Sequence, residues 1–385
     1  MKYPAAQIVH TFYAPSLLRR LILVLAALGL ITASAFIIPK VKAKLTLAPV
    51  YKTSEKVEYV NIHRIESNIA GDNITIIQPS DKALLPQAKW VPQTFNNCVP
   101  ATTSMLLQYF GYQVGQNEIK THLRTNSDDK NVFTFEIRDY LKDRYNISSK
   151  LFYNGDLQTL KLLLANGFYI VVEDWLHPNE DIGHVTIIRG FDDNQGVLIA
   201  DDSYMGVNII YKYEEFDHAQ WKPFNREYLP IFTADKEPLL KAILGDNWDE
   251  EKMYQSSLKR NLVDTQKNPH DLYAWFNLGT SYFALKQYEK AQSSFETSKS
   301  LGWPKRMLWY QIQPIQTLNA LGDYQKALEL IQIGLWGNDS FAELHFEAAY
   351  AYKGLGDLQK AREEAQKALF YSANFSPAKE LLSSL

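Results

Sequence analysis

A six-residue block occurs three times in the C-terminal part of the chain. The sequence GDYQKA at 322–327 recurs as GDLQKA at 356–361, a shift of 34 residues, and a related copy, KQYEKA, lies at 286–291. A repeat of this length cannot bury its apolar face alone, so consecutive copies must stack on one another. No strand pattern occurs in this part of the chain. We therefore predict an all-α solenoid over residues 246–385.

The residues around the earliest copy indicate the type of repeat. The following residues lie at the spacings that the tetratricopeptide repeat uses: Trp275, Leu278, Gly279, Tyr282, Ala291 and Phe295. The region therefore resembles tetratricopeptide repeats, in which small residues such as Gly279 let paired helices approach closely. In the second copy Gln313 and Gln316 replace the usual Gly and Tyr, so its first helix is expected to be irregular. The resemblance implies a protein partner on the concave face.

Residues 21–38 form an uncharged apolar run directly after Arg19 and Arg20. As a helix this run would extend roughly 27 Å, close to the hydrocarbon thickness of a bilayer. We expect an uncleaved transmembrane helix, a signal anchor, within residues 1–44. The alternatives are a signal peptide cleaved after Ala35 and a buried core helix. The first two place the remaining domains on the extracytoplasmic side, in a single-pass membrane protein or a secreted one.

The middle of the chain combines helical and strand patterns. Residues 45–87 are polar and irregular, and we predict that they form a tether. Helical patterns follow at 99–110, 116–123, 134–145 and 156–166, and strand patterns at 168–173, 184–191, 197–200 and 208–213. Helices followed by strands indicate an α+β domain, with predicted bounds 88–235.

Charge and cysteine content exclude several classes of function. The net charge of −3 argues against a nucleic-acid partner, because such proteins need a strongly basic surface. Cys98 is the only cysteine, which excludes an intramolecular disulfide and a multi-cysteine zinc site. We predict no cofactor and no metal.

Cys98 is followed by a helical pattern that contains Pro100, a residue suited to the first turn of a helix. A thiol at a helix N-terminus has a lowered pKa, which favours the thiolate, the form that attacks carbonyl carbons. A single cysteine can also be small apolar filler in a core. A catalytic cysteine needs a base, and His184 is the best placed of the eight histidines because it begins a strand pattern.

The base must in turn be oriented by a hydrogen-bond acceptor. Asp201 and Asp202 follow the strand pattern at 197–200, which is adjacent to the pattern that His184 begins. Neighbouring strand residues point to opposite faces, so a one-residue change in the turn exchanges the two aspartates. These residues by themselves leave the choice open.

Several short motifs together resemble the double-glycine, bacteriocin-processing peptidase-like family of papain-fold cysteine peptidases, over about 89–233. The motifs are Gln93, Asn97-Cys98 with Pro100-Ala101, Gly183-His184 and the sequence VLIAD at 197–201. The resemblance implies roles for four residues, which are Cys98 as nucleophile, His184 as general base and acid, Asp201 as the group that orients His184, and Gln93 as oxyanion donor.

Two residues depart from the family pattern. Asp202 stands where the family usually has Pro, and Val99 stands where Gly usually follows the nucleophile. If that Gly provides backbone freedom or room for substrate, a β-branched residue would narrow the cleft or shift the oxyanion hole. The chain also contains no glycine-rich phosphate loop, so maturation of a transported peptide is not implied.

Together these features predict a papain-like cysteine peptidase domain joined to tetratricopeptide repeats and to one transmembrane helix. The predicted reaction is hydrolysis of peptide bonds in a peptide or protein substrate. The alternatives are an inactive peptide-binding module and a thiol acyltransferase or amidase that uses the same triad. Deletion of the chain from Ala274 onward is expected to abolish partner binding and to leave hydrolysis of small substrates intact.

Overall fold

The computed structural model describes residues 64–69, 72–129, 131–304 and 306–385, which all belong to one compact unit. The predicted transmembrane helix at 21–38 lies outside these residues. Within them, no helix combines the length and the apolar character that crossing a membrane requires.

The segment predicted to be a tether contains three strands. β1 (Arg64–Ile69) and β2 (Asp72–Ile77) form an antiparallel pair, and β3 (Lys82–Leu84) pairs with β6 (Gly183–Asp192) in the main sheet. Ala83 is buried in the same apolar core as the main sheet. The tether prediction is therefore wrong for this part of the segment, because short apolar stretches between polar residues are enough to add a strand to an existing sheet.

Four helices precede the central strands, as the periodicity predicts. They are α1 (Cys98–Tyr109), α2 (Gln116–Leu123), α3 (Thr134–Tyr145) and α4 (Leu157–Ala165). The apolar residues Met105, Leu106 and Leu107 of α1 are fully buried. Asp156 caps α4, since its side chain accepts a hydrogen bond from the backbone N–H of Thr159 at 2.7 Å.

The main sheet has seven strands among the described residues, in the order β4-β9-β5-β6-β7-β8, with β3 added to β6. The strands not yet defined are β4 (Ser148–Ser149), β5 (Tyr169–Trp175), β7 (Val197–Asp202), β8 (Gly206–Lys212) and β9 (Tyr228–Phe232). All pairs are antiparallel. One face packs against α1, α2 and α3, and the other against α4, so both faces are buried. The predicted α+β fold is thus confirmed.

A β-bulge interrupts the pairing of β6 with β7. Gly190 pairs with Ile199, but the next pair is Ile188 with Ala200, which leaves Arg189 as an extra residue in β6. Directly paired residues in an antiparallel sheet point to the same face. The extra residue therefore reverses which residues of β7 share a face with the first half of β6.

Arg189 is fixed by an ion pair inside the sheet. Its Nε donates to Asp201 Oδ1 at 2.9 Å, and its Nη1 donates to the carbonyl oxygen of Leu85 at 2.7 Å. Arg189 is 2% exposed and Asp201 is fully buried. Asp201 Oδ2 also accepts from the Tyr109 hydroxyl at 2.7 Å and from the Ala88 N–H at 3.2 Å. Asp201 thus connects the bulge in β6 to α1 and to the segment that precedes α1.

The substitution Arg189→Met tests this ion pair. It leaves the Asp201 carboxylate buried without its cation, which should lower the free energy of unfolding by about 3–5 kcal/mol. The control is Arg138→Met, because Arg138 pairs with Asp139 on the exposed surface and should change stability by less than about 1 kcal/mol. Denaturant unfolding measures both. Equal stability of the two variants would contradict a structural role for the Arg189–Asp201 pair.

The C-terminal region consists of helices, as the repeat pattern predicts. After α5 (Glu237–Leu244) and α6 (Glu250–Lys267), the helices are α7 (Leu272–Ala284), α8 (Tyr288–Ser300), α9 (Gln313–Ala320), α10 (Tyr324–Leu335), α11 (Ala342–Gly354), α12 (Leu358–Tyr371) and α13 (Ser376–Ser383). A Cβ added at Gly279 would lie 2.6 Å from the ring of Phe295, so only glycine permits this approach of α7 to α8. The expected irregularity is also present, since α9 is short and follows a 3₁₀ turn at Met307–Trp309.

The helical region shares a hydrophobic core with the α+β domain. Trp175 at the end of β5 and Phe224 belong to the same buried cluster as Phe276 of α7 and Met307. Trp175 is fully buried, and its Nε1 donates to the hydroxyl of Tyr273 at 3.1 Å. Deletion from Ala274 onward would therefore expose this core, which differs from the expectation that the two regions act independently.

Candidate active site

Cys98 is the first residue of α1, as predicted. The preceding residues form a turn in which the Asn97 N–H donates to the Thr94 carbonyl at 3.0 Å. Asn96 has φ +55°, a left-handed conformation that asparagine tolerates better than most residues. This turn reverses the chain into the helix and places the half-buried thiol at the helix N-terminus.

His184 lies between Cys98 and an aspartate. Its Nε2 is 3.0 Å from Asp202 Oδ2, and its ring lies close enough to Cys98 to lower the pKa of the thiol. Because Nε2 contacts the aspartate, the other ring nitrogen is the one available to the thiol. His184 is only 3% exposed, so its ring is fixed by the surrounding protein. The structure thus brings thiol, imidazole and carboxylate together, with a hydrogen bond between imidazole and carboxylate and the thiol in the same cleft as the ring.

The aspartate in this chain is Asp202, which corrects the expectation for Asp201. Extension of the register beyond the Ile187–Asp201 pair places Asp202 opposite Thr186, on the face of the sheet that also carries His184. Asp201 points to the opposite face, where it binds Arg189. The reason is the bulge, because the uninterrupted hairpin register would give the opposite assignment.

Asp202 is held by many donors. Oδ1 accepts from the backbone N–H groups of Tyr204 at 2.6 Å and Met205 at 2.7 Å, and Oδ2 accepts from the Tyr211 hydroxyl at 3.2 Å. Burial raises the pKa of Asp202, but His184 and the two N–H groups lower it, and the net pKa is below its usual range. Asp202 is therefore an ionised and rigid acceptor for His184.

Gln93 lines the same cleft as the thiol. Its Oε1 accepts from the Ser203 hydroxyl at 2.8 Å, and its backbone N–H donates to the Ser203 carbonyl at 2.8 Å. A side-chain amide whose oxygen already accepts a hydrogen bond is oriented with Nε2 as its donor. Ser203 directly follows Asp202, so a single segment positions both Gln93 and the aspartate.

The cleft has a volume of about 750 Å³ and two kinds of wall. The α+β domain contributes Cys98, His184 and Gln93, together with apolar residues such as Ile182. The helical region contributes Arg306, Trp309, Tyr310 and Asn338. Within the described residues, no group of three or more His, Cys, Asp or Glu side chains could hold a metal ion.

Family models match both regions of the chain. Residues 81–229 match the model described as "Peptidase_C39 like family". This segment is a C39-like peptidase domain. Residues 272–301 and 342–374 match the tetratricopeptide repeat model, so the helical region is a tetratricopeptide-repeat region. A search of curated proteins gives no match.

Several solved structures are similar to parts of the chain. A double glycine motif protease from an AMS/PCAT transporter, in complex with the leader peptide, is 18% identical, covers 41% of this chain and 99% of its own, and has a TM-score of 0.31. The peptidase domain of ComA, a bi-functional ABC transporter of Streptococcus, is 15% identical over 38% of this chain and 98% of its own, with a TM-score of 0.30. MamA from Desulfovibrio magneticus RS-1 is 19% identical over 35% and 83%, with a TM-score of 0.30.

The electrostatics of the C39-like domain favour a charged thiol and imidazole. Burial raises the pKa of Cys98, but the hydrogen bond and charge of His184 and the charge of Arg124 lower it, and the net pKa is below that of an ordinary thiol. Burial lowers the pKa of His184, but Asp202 and Cys98 raise it, and the net pKa is well above its ordinary value. Both shifts favour a thiolate–imidazolium pair.

Arg124 is a site residue that sequence reasoning missed. It follows α2, is 7% exposed, and its Nη1 donates to the Asn96 carbonyl at 2.7 Å. Its positive charge lowers the pKa of Cys98 although burial opposes this effect. No local pattern identifies Arg124, because its proximity to the thiol depends on how α2 packs against α1.

The loop after Arg124 is held by the repeat region. The Thr125 hydroxyl accepts from the Ala373 N–H at 2.9 Å, and Asn126 Nδ2 donates to the Phe370 carbonyl at 3.1 Å. Further along, Asn131 Nδ2 donates to the Trp309 carbonyl at 3.0 Å. Two separate parts of the repeat region, the end of α12 and Trp309, therefore hold this loop of the C39-like domain.

Two further carboxyl groups lie near the nucleophile. Asp174 pairs with His184 across β5 and β6, is fully buried, and has no hydrogen-bond partner for Oδ2 within the described residues. Glu173 lines the cleft. Burial, followed by the charge of Glu227, raises the pKa of Glu173 well above its usual value. Burial raises the pKa of Asp174 in the same way, so both groups favour the neutral form.

Val99 does not impose the backbone strain that its position suggests. It lies within α1, and its φ is not among the positive values of the described residues. Its side chain packs in the apolar cluster that contains Val185, while its N–H interacts with the sulfur of Cys98. The backbone therefore does not require glycine here, although the Val99 side chain does contribute to the cleft wall.

The pH dependence of Cys98 alkylation tests the thiolate–imidazolium pair. Cys98 is the only cysteine, so iodoacetamide reports on one site. Because the net pKa of Cys98 is lowered, alkylation at pH 6 should be several-fold faster than for free cysteine. His184→Ala removes the largest lowering effect and leaves burial, so the profile should move to higher pH. If wild type and His184→Ala were alkylated equally slowly at every pH, the result would contradict the thiolate–imidazolium pair.

Proposed function

We propose that the C39-like domain is a cysteine peptidase that hydrolyses peptide bonds through Cys98, His184 and Asp202. The observation that carries this proposal is the position of Cys98 at the start of α1 in the same cleft as His184, whose Nε2 is 3.0 Å from Asp202 Oδ2. Nucleophile, base and orienting carboxylate are the parts that acyl transfer by a thiol requires. Their position in an open cleft supports access by an extended peptide.

In the acylation step the Cys98 thiolate attacks the carbonyl carbon of the scissile peptide bond. A carbon–sulfur bond forms, and the carbonyl π electrons move to the oxygen. The His184 imidazolium then donates its proton to the nitrogen of the leaving amine as the C–N bond breaks. The product is a thioester on Cys98, and His184 is left neutral. Asp202 stays ionised and keeps the ring oriented throughout.

The negative oxygen of the tetrahedral intermediate needs hydrogen-bond donors. Gln93 Nε2 and the backbone N–H of Cys98 are the proposed donors. Ser203 fixes the Gln93 amide in place before substrate binds, which supports this role because preorganised donors stabilise charge without reorganisation.

In the deacylation step neutral His184 accepts a proton from water as the water oxygen attacks the thioester carbon. The carbon–sulfur bond breaks, the carboxylic acid product leaves, and the thiolate–imidazolium pair is restored. The ionised state of Asp202 supports this step too, because it stabilises the imidazolium that forms.

Catalysis accounts for the site better than peptide binding alone. A binding module has no need for a thiol whose pKa is lowered or for an imidazole held between thiol and carboxylate. Burying ionised groups also costs free energy, and peptide binding alone gives no reason for that cost. In this proposal the repeat region also binds a protein partner, and the apolar run at 21–38 places the enzyme on the extracytoplasmic side of a membrane.

The two adjacent aspartates provide a matched test of the triad. Asp202→Asn removes the charge that stabilises the His184 imidazolium, so kcat should fall by about 10²–10⁴. Asp201→Asn changes the same functional group on the opposite face and should retain kcat within about threefold, although it weakens the Arg189 ion pair. Hydrolysis of unstructured casein peptides, followed by mass spectrometry, measures both rates relative to the amount of alkylatable Cys98. If Asp201→Asn lost more kcat than Asp202→Asn, the assignment of Asp202 to the triad would be wrong.

The substitution Gln93→Ala separates oxyanion stabilisation from activation of the thiol. Loss of one preorganised donor should lower kcat by about 10²–10³. The pH profile of Cys98 alkylation should stay within about 0.3 units of wild type, because Gln93 does not supply the charge that lowers the thiol pKa. The same peptide assay and iodoacetamide titration measure the two effects. Unchanged hydrolysis would exclude Gln93 as a donor.

A further inference from the structure

We propose that Tyr310, from the repeat region, is a positioning residue for His184. The inference rests on the proposed function, and it extends the catalytic machinery beyond the peptidase domain. Tyr310 directly follows the 3₁₀ turn at Met307–Trp309 and lines the same cleft as the thiol. It contacts the backbone directly before the catalytic histidine. Its role is therefore to hold the strand end that carries the imidazole, and it takes no part in bond formation.

The contact with Gly183 is close and specific. A Cβ placed at Gly183 would lie 2.7 Å from Cδ1 of the Tyr310 ring, so the ring occupies the space where any other residue has a side chain. Cζ, the ring carbon that carries the Tyr310 hydroxyl, lies equally close to this Cβ position. The ring and its hydroxyl end thus both pack against the residue directly before His184.

Tyr310 is itself anchored to the end of the sheet. Its ring centroid is 5.6 Å from that of Trp175 and 6.0 Å from that of Phe224, both with edge-to-face geometry. Trp175 is the residue that pairs with Gly183 across β5 and β6. The next residue, Gln311, donates from Nε2 to the Pro223 carbonyl at 2.8 Å. Tyr310 therefore clamps the pair of residues that ends the β5–β6 ladder.

The next pair along this ladder is Asp174 with His184. A shift of the ladder end would move the imidazole relative to Cys98, whose position is set separately by α1. Displacement of a catalytic group by about 1 Å can reduce the rate by about 100-fold. The clamp is thus located where a small backbone movement changes the position of the imidazole relative to the thiol. Glycine at 183 and tyrosine at 310 are complementary parts of one contact.

The test compares the pH dependence of Cys98 alkylation in the full chain for three variants. Tyr310→Leu removes ring and hydroxyl, Tyr310→Phe removes the hydroxyl alone, and Tyr288→Leu is the control. Tyr288 is a half-buried tyrosine of the same region that contacts Phe283 and does not line the cleft. Iodoacetamide is small, so its reaction rate does not depend on the shape of a peptide-binding wall.

We expect Tyr310→Leu to lower the alkylation rate at pH 6 several-fold and to move the profile toward that of free cysteine. Tyr310→Phe should restore most of this loss because the ring still packs on Gly183. Tyr288→Leu should follow wild type. An unchanged profile in folded Tyr310→Leu overturns the proposal. So does a raised KM for casein peptides with an unchanged alkylation profile, because that result assigns Tyr310 to substrate contact.

A second variant covers the case in which Tyr310→Leu does not fold. Gly183→Ala introduces a methyl group that displaces the ring from the opposite side, and it should shift the alkylation profile in the same direction. A wild-type profile in Gly183→Ala overturns the proposal. If wild-type Cys98 itself alkylates like free cysteine, both the peptidase function and the role of Tyr310 are overturned. If wild-type Cys98 is alkylated faster than free cysteine and the Tyr310 and Gly183 variants match wild type, only the proposed role of Tyr310 is overturned.

Discussion

The buried ion pair between Arg189 and Asp201 lies at the β-bulge in β6, and the geometry of the site depends on this bulge. Arg189 is the extra residue of the bulge in β6, and its guanidinium binds Asp201 on the face of the sheet that packs against α1. With that aspartate occupied, its neighbour Asp202 faces His184. Two adjacent carboxylates therefore have different roles, one structural and one at the thiol site, because a single inserted residue sets the register.

Much of the fold can be predicted from short-range patterns. The apolar periodicity of α1, with Pro100 in its first turn, locates Cys98 at a helix N-terminus, and the start of β6 locates His184. Motif resemblance then connects residues that periodicity alone leaves separate. These predictions succeed because each depends on local chain geometry, which neighbouring residues largely determine.

The choice of aspartate could not be predicted from hydrophobic pattern, because a bulge changes the register without changing the apolar run. Its only local signal is a charged residue followed by glycine, Arg189-Gly190, inside an otherwise apolar strand. Arg124 and Tyr310 have no such signal. They reach the site through packing between distant segments, which one sequence does not reveal. The addition of β3 to the main sheet could not be predicted, because β3 is stabilised by its pairing with β6 rather than by its own pattern.

The loop that follows Arg124 has a consequence for the order in which the protein is made. Its hydrogen-bond partners include Phe370 and Ala373, which are translated long after the nucleophile and the base. At typical rates of 5–20 residues per second, the roughly 170 residues that separate these partners from Asp202 take about 10–30 s to synthesise. During this interval a nascent chain already carries Cys98 without the contacts that fix its surroundings. The surroundings of Cys98 are therefore complete only after the repeats have been made.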